Sequence, residues 1–405
     1  MSKAWLNIIG MSEGGIDEIS STAKAVLLKA KYVLGAKRLL NRVPHNQGQE
    51  LVEWQTPYKA MIAQIAKLRG EDVVILASGD ANWFGIGASL LSQFLPEEFN
   101  SIPTVSSLQL AAAKMHWAMQ NIDCISLHGR VVENLHCYVL PRNRILALTS
   151  NANTLIEVAA LLKQRGFSKS ILSVLENLGA KNERIISFSV DEAAAQKIGD
   201  FYVLAIDCIA DIDAPILSTI AGLPDDAFCS DGQLTKQEMR AISLAKLAPY
   251  PNALLWDIGA GCGSIAIEFM RAARGAKAIC FERDEKRLMV IEKNKMALGV
   301  PTLKIVAGDA FEGIKNQPIP DAIFIGGDVS NHALFEACFG VLKIGGRMVA
   351  NAVTIEGEKA LFEWHEKLGG ELVRVAISTL KQTENYRMFD PKKTIMQWLI
   401  VKGQN

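Results

Sequence analysis

Apolar residues recur along this chain in two alternating rhythms. Short runs rich in Val, Ile, Leu and Phe, bounded by Gly, Asp, Asn and Ser, have the pattern of buried strands. In the first half these runs are WLNIIG, DVVILAS, DCISLH, RILALTS, ILSVLE, RIISFSV and DFYVLAI. Between them, Asp17 to Ala30, Gly85 to Phe94, Leu108 to Met119 and Thr154 to Lys163 place apolar residues at helical spacing. Strands alternating with helices predict an α/β architecture rich in parallel pairing.

The rhythm breaks after Cys208, where D-I-D-A-P-I-L-S-T-I-A-G-L-P-D-D-A-F has two prolines and no firm period. It predicts a first domain over 1–212, a linker over 213–228 packed on a surface, and a second domain over 229–405. The second half restarts at Thr235, where Glu238 three residues later makes a capping-box pattern for a helix. ALLWDI, AKAICFE, TLKIVAG, DAIFIGG and GRMVANAV then alternate with helices, and ELVRVAI and TIMQWLIV close the chain.

The chemistry in this half begins at D-I-G-A-G-C-G-S, Asp257 to Ser264, a strand running into a glycine turn and a helix. Gly259 and Gly261 allow a tight turn and close approach of a ligand to backbone, and Gly263 opens the helix. A dinucleotide loop has glycine at the sixth position of G-x-G-x-x-G, whereas Ser264 stands there. G-x-G-x-G behind Asp257 suits S-adenosylmethionine, a cationic sulfonium without phosphate, and Ala260 and Cys262 belong to the same loop. The next strand ends at Glu282, placed to accept both ribose hydroxyls. The following strand ends in A-G-D-A, where Asp309 is either an adenine contact or a helix N-cap and Ala310 faces the ring. Gly326 and Gly327, after the fourth strand, let a substrate approach, and Asn351 at the end of the fifth either touches it or caps the next turn.

Bulk numbers narrow the partners. The 405 residues hold 43 basic and 43 acidic side chains, so no global field draws the chain to nucleic acid or membrane. An anionic ligand must be met by a local cluster of cations. Seven scattered cysteines without a C-x-x-C pair, and histidines without ligand spacing, predict neither disulfides nor a metal site and fit a reducing compartment. No apolar run approaches bilayer length and no secretion signal is evident, so a cytoplasmic protein is expected. Assembly into a homo-oligomer is also expected.

The first half has its own glycine-bearing loops. They are G-M-S-E-G-G from Gly10, S-G-D with Gly79 and Asp80, S-S-L-Q-L-A-A with Ser106 and Ser107, S-L-H-G-R with His128 and Arg130, and L-T-S with Thr149. None is a phosphate loop. In this order, over roughly residues 5 to 208, they resemble the tetrapyrrole methylase family. Within it the likeness is to subunits of cobalamin biosynthesis that methylate precorrin-6. From about Asp226 to Val401 the second half resembles the companion subunit of that step, on L-T-K-Q-E-M-R-A, W-D-I-G-A-G-C-G-S, Glu282, G-D-A and F-I-G-G. One departure stands out: the family's first loop usually carries Pro-Gly-Asp, and this chain has Ser12-Glu13-Gly14-Gly15.

The resemblance implies a two-lobed methylase fold followed by a Rossmann-like methyltransferase fold, with two S-adenosylmethionine sites per chain. The donor would meet Gly10, Gly79, Asp80, Ser106, Ser107 and Thr149 in the first domain, and Thr235 with the glycine loop, Glu282, Asp309 and Ala310 in the second. The substrate implied is an anionic precorrin, methylated at carbons 5 and 15 with loss of the ring C acetate carboxyl. Arg130, Lys236 and Arg240 are candidate carboxylate clamps, and Lys236 and His128 are candidate proton carriers. The competing reading is a methyltransferase for another small molecule, protein or RNA, with one domain a non-catalytic scaffold.

Overall fold

A computed structural model describes residues 4–44, 46–55, 58–90 and 93–403. The chain divides into two compact units. The first holds Met1–Val132 and Pro141–Ala214, and the second holds Glu133–Leu140 and Pro215–Asn405.

Two five-stranded sheets build the first unit. Strands β1 (Leu6–Met11), β2 (Tyr32–Gly35), β3 (Glu50–Glu53), β4 (Val73–Ser78) and β5 (Phe99–Ile102) lie in the order β3-β2-β4-β1-β5, all parallel. Central β4 is apolar at every position from Val73 to Ala77 and buried throughout that run, as a strand covered on both faces must be. Helices α1 (Ser21–Lys29), α2 (Lys37–Leu40), α3 (Tyr58–Ala66) and α4 (Ile86–Leu90) belong to this lobe. The second sheet has β6 (Asp123–Ser126), β7 (Arg144–Leu148), β8 (Ile171–Glu176), β9 (Arg184–Ser189) and β10 (Tyr202–Asp207) in the order β6-β7-β10-β8-β9. Only β6 and β7 pair in parallel there, so parallel richness holds for the first lobe and not the second. Helices α5 (Ser107–Met115) and α6 (Asn153–Gln164) complete the unit.

Several boundaries differ from the sequence pattern. Helix α1 begins four residues later than Asp17, because the Ser20 hydroxyl accepts the Ala23 N–H and caps it there. The helix expected to reach Phe94 ends at Leu90 among the described residues; residues 91 and 92 lie outside them. Helix α5 stops at Met115 because His116 adopts a left-handed conformation and closes it.

The second unit is one seven-stranded sheet. Its strands are β11 (Leu254–Ile258), β12 (Lys277–Glu282), β13 (Lys304–Ala307), β14 (Ala322–Ile325), β15 (Arg347–Ala352), β16 (Glu371–Val375) and β19 (Ile395–Val401), with β17 (Ser378–Gln382) and β18 (Arg387–Pro391) forming a separate hairpin. The order is β13-β12-β11-β14-β15-β19-β16, parallel except around β19. Helices α7 (Gln237–Leu247), α8 (Ser264–Ala272), α9 (Glu285–Ala297), α10 (Ala310–Gly313), α11 (His332–Val341) and α12 (Ile355–Leu368) belong to this unit. Strand order reverses between β11 and β14, and a crevice opens at the carboxyl ends of such strands.

The expected capping box of Thr235 and Glu238 does not form. Lys236 is the N-cap of α7 without a side-chain bond, and the Asp225 carboxylate accepts the Gln237 N–H at 2.9 Å instead. A carboxylate from the connecting segment has satisfied the orphan donor that a cap would have taken. That segment is held again at Gly222 and Leu223, whose N–H groups donate to Glu268 at 2.6 and 3.1 Å. Segment Glu133–Leu140 belongs to the second unit, where Cys137 Sγ lies 3.5 Å from Gly299 O and 3.5 Å from Arg271 Nη1. No helix among the described residues is long and apolar enough to cross a membrane, and no cluster of His, Cys, Asp or Glu among them could hold a metal.

Candidate active sites

In the second unit, a cavity of about 850 Å³ lies at the carboxyl ends of β11, β12 and β14. The glycine turn after β11 forms its floor because Gly259, Gly261 and Gly263 all have positive φ, at +67°, +60° and +78°, which residues with a Cβ adopt only under strain. Gly259, Ala260, Gly261 and Cys262 line the cavity. Gly263 does not; a Cβ there would press on Ile291, so this glycine serves the packing of α8 on α9 rather than a ligand.

Glu282 closes one side. It is nearly buried, and its two oxygens accept N–H groups from Gly261 at 2.8 Å, Arg283 at 2.9 Å and Asp284 at 3.0 Å. The carboxylate therefore ties the glycine turn to the start of α9 while facing the cavity. Asp257, only 1 % exposed, accepts the Ala266 N–H at 3.1 Å. Burial, opposed by that bond and reinforced by the Glu282 charge, pushes its carboxyl up to about 7. Asp309 caps α10 by accepting the Glu312 N–H and also lines the cavity, as does Ala310. Burial raises the Cys262 thiol, which makes it a poor nucleophile.

Thr235, Lys236, Gly326, Gly327 and Asn351 also line this cavity. Asn351 is held by Ser243 Oγ at 3.1 Å and by Gln397 Nε2 at 2.8 Å. Lys236 keeps only a long contact to Asp225, 3.8 Å, and remains available. Arg240 overturns its expected role. It has no exposed surface, and its guanidinium is spent on Glu268, Asp225 and the carbonyls of Thr235 and Leu223. Four internal acceptors and complete burial leave the guanidinium unable to clamp a substrate. Sequence reasoning missed Gln233, Arg283, Arg287, Asp328, Lys392 and Lys393, which line the same cavity. The adjacent lysines before the last apolar run were the one local signal.

In the first unit, a cavity of about 380 Å³ is lined by Gly79, Asp80, Ser106, Ser107, His128 and Thr149. Gly10 does not line it. A Cβ on Gly10 would strike the Gly79 carbonyl, so Gly10 permits the close passage of β1 under the S-G-D loop. Gly79 has φ +59° and stands against Ser106 for the same reason. Asp80 Oδ1 accepts the Asn82 N–H at 2.8 Å and fixes the turn. Ser106 and Gln109 form a full capping box on α5, which sets Ser107 at its first turn. Thr149 Oγ1 donates to Tyr202 O at 2.7 Å. His128 Nδ1 lies 3.2 Å from Thr149 O; a carbonyl only accepts, so Nδ1 carries the hydrogen and a neutral ring offers Nε2 as acceptor. Arg130 stands outside the lining, its guanidinium 6.0 Å from the ring of Phe84, which lines the cavity with Trp83. Glu13, Arg38, Trp54, Asp200 and Phe201 are lining residues that sequence reasoning did not assign.

Two family models match the chain over separate spans. Residues 6–194 match the tetrapyrrole (corrin/porphyrin) methylase model, and residues 226–402 match the precorrin methyltransferase domain model. A precorrin-6Y C(5,15)-methyltransferase [decarboxylating] of Sinorhizobium sp is 38% identical over 98% of this chain and 97% of its own length. The chain belongs to the decarboxylating precorrin-6Y C(5,15)-methyltransferase family. A second family member, from Mycobacterium tuberculosis, is 34% identical over 98% of this chain and 99% of its own. The crystallised C-terminal domain of precorrin-6Y C5,15-methyltransferase from Rhodobacter capsulatus is 40% identical, covering 45% of this chain and 98% of that one, with a TM-score of 0.43. Methyltransferases of this family use S-adenosylmethionine.

Proposed function

We propose that both cavities work on one anionic precorrin, each with its own methyl-donor site. The enzyme is a decarboxylating methyltransferase of cobalamin biosynthesis that methylates a precorrin-6 tetrapyrrole at carbons 5 and 15. In this reading the first unit methylates carbon 5, and the second methylates carbon 15 and removes the ring C acetate carboxyl. The observation that carries it is the presence of two separately built cavities within one chain that its relatives match from end to end. That end-to-end match favours a precorrin over another substrate.

The second cavity fits the donor. Its glycine turn leaves backbone open to a ligand, Glu282 would offer a carboxylate to ribose hydroxyls, and Asp309 and Ala310, which line the cavity, would meet the adenine. Gly79, Asp80, Ser106, Ser107 and Thr149 play that part in the first. S-adenosylmethionine supplies an electrophilic methyl group. The chain's own task is alignment and exclusion of water, which suffices when the nucleophile is an enamine-like ring carbon. In this reading His128 Nε2 takes up the proton lost from that carbon, supported by its place in the cavity lining. Lys236, with Gly326, Gly327 and Asn351 around it, holds a substrate carboxylate in the second unit. Assembly into a homo-oligomer belongs to the same reading, supported by the exposed Leu380, Met388 and Phe389 of hairpin β17–β18. So does a cytoplasmic location, supported by scattered cysteines without a C-x-x-C pair.

The test is donor titration by calorimetry together with mass spectrometry of precorrin-6 turned over with labelled donor. Two donor sites, two methyl groups gained and one carbon dioxide lost are expected. One donor site per chain would leave one unit without a catalytic part.

A further inference from the structure

The first unit holds a charged cluster that the roles above do not use. Glu13, in the loop that departs from the family pattern, lies between two arginines. One carboxylate oxygen meets Arg38 Nη1, and the other meets Arg42 Nη2 at 2.6 Å. The carboxylate is 13 % exposed, whereas the arginine side chains are 39 % and 34 % exposed. The cations thus reach solvent while the anion is tucked between them. Arg38 also donates to Ser78 Oγ, and its guanidinium stands 4.7 Å from the Phe201 ring. Glu13, Arg38, Ser78 and Phe201 all line the cavity. Two cations meet one carboxylate in this cluster, while Asp80 and Asp200 line the cavity elsewhere. Asp17 and Glu18, the acids that follow the loop, are both exposed; Asp17 lies 3.8 Å from Lys24 Nζ, and Glu18 accepts from the Ser12 hydroxyl.

We propose that Arg38 and Arg42 form a carboxylate-binding site at the edge of this cavity, and that Glu13 fills it in the unliganded chain as a resident stand-in for a substrate carboxylate. This rests on the reading of the cavity as the place of an anionic tetrapyrrole. A guanidinium pair binds carboxylate in a planar, directed way. Phe201, Trp83 and Phe84 supply aromatic surface beside it for a flat macrocycle. The two residues after Glu13 are Gly14 and Gly15, the latter at φ +75°, so no large side chain bars withdrawal of the Glu13 carboxylate. An incoming carboxylate must then compete with Glu13 for Arg38. The arrangement disfavours ligands with too little negative charge to win that exchange.

The sign of one substitution separates this role from simple support of the arginines. Full-length chain is titrated with uroporphyrin I, an octacarboxylic porphyrin, and binding is read by fluorescence. Glu13→Gln should bind it about fivefold more tightly at low salt, with the gain vanishing at about 0.5 M salt as the charges are screened. Glu13→Asp, which draws the charge back by one methylene, should give a smaller gain and guards against misfolding of the first variant. Arg38→Met and Arg42→Met should each weaken binding. Unchanged or weaker binding by Glu13→Gln, no effect of either arginine, or no porphyrin binding at all overturns the proposal. Donor stoichiometry measured on the same variants keeps the two readings apart. A missing donor site counts against the two-site function, whereas intact stoichiometry with unmoved porphyrin affinity counts only against the Glu13 role.

Discussion

On the proposal that the second cavity holds the methyl donor, Asp257 should make its binding depend on pH. Its carboxyl titrates near 3.8 in an open chain and is pushed up to about 7 when folded, first by burial and then by the Glu282 charge. Folding therefore takes up a proton between those values. Its contribution to stability is favourable at low pH and is lost as pH rises through about 7, where the buried carboxylate is left charged. A cationic donor beside Asp257 reverses the balance, because it favours the ionised form. At pH 6 about one chain in ten carries the charge, and at pH 8 about nine in ten. Affinity at this site should thus rise about tenfold from pH 6 to pH 8, with release of most of one proton near pH 6. Calorimetric titration at pH 6, 7 and 8, in two buffers of different ionisation enthalpy, reads both quantities. Asp257→Asn should bind weakly and equally at all three. A wild-type affinity that is flat over this range, or an Asn variant that keeps the tenfold slope, would refute the reasoning.

Two further outcomes are expected. Glu282→Ala removes the proposed ribose acceptor and the tether on Gly261; at about 1.5–3 kcal/mol per charged hydrogen bond, donor sites should fall from two to one, and two sites with affinities within about threefold would exclude the contact. Arg240→Met strands the buried Glu268 carboxylate, which should destabilise the second unit by about 3–5 kcal/mol in denaturant titration; retained stability with weakened substrate binding would restore Arg240 as a clamp.

What the sequence revealed and concealed follows the reach of the interactions. The turn Gly259–Gly263 was legible because three backbone positions need conformations that glycine alone takes easily, and their spacing is local. Glu282 was legible because it ends an apolar run. Arg240 was not, since its helix shows only an arginine among apolar residues. Its partners, Asp225 and Glu268, lie 15 residues before and 28 after, joined only by the tertiary fold. Thr235 and Glu238 spelled a local cap, and a distant carboxylate took its place. Strands β2 (YVLG) and β3 (ELVE) each place only two aliphatic residues in a row, too few for a strand pattern to stand out. Hairpin β17–β18 is exposed on both faces, so it has no buried alternation to read.

The eight residues Glu133–Leu140 give the chain an unusual thread. It leaves the first unit after Val132, returns at Pro141 and departs again after Ala214. A cut at 214 would therefore not yield two finished bodies. The shorter piece would lack the Cys137 neighbour of Gly299 and Arg271, and the longer would carry Leu135 and Val139, fully buried in the intact chain, away from the unit they belong to. Halves expressed as separate polypeptides should need each other's presence to mature. The chain passes from one unit's residues to the other's three times, and a linker swap at residues 213–228 would alter only one of those passages.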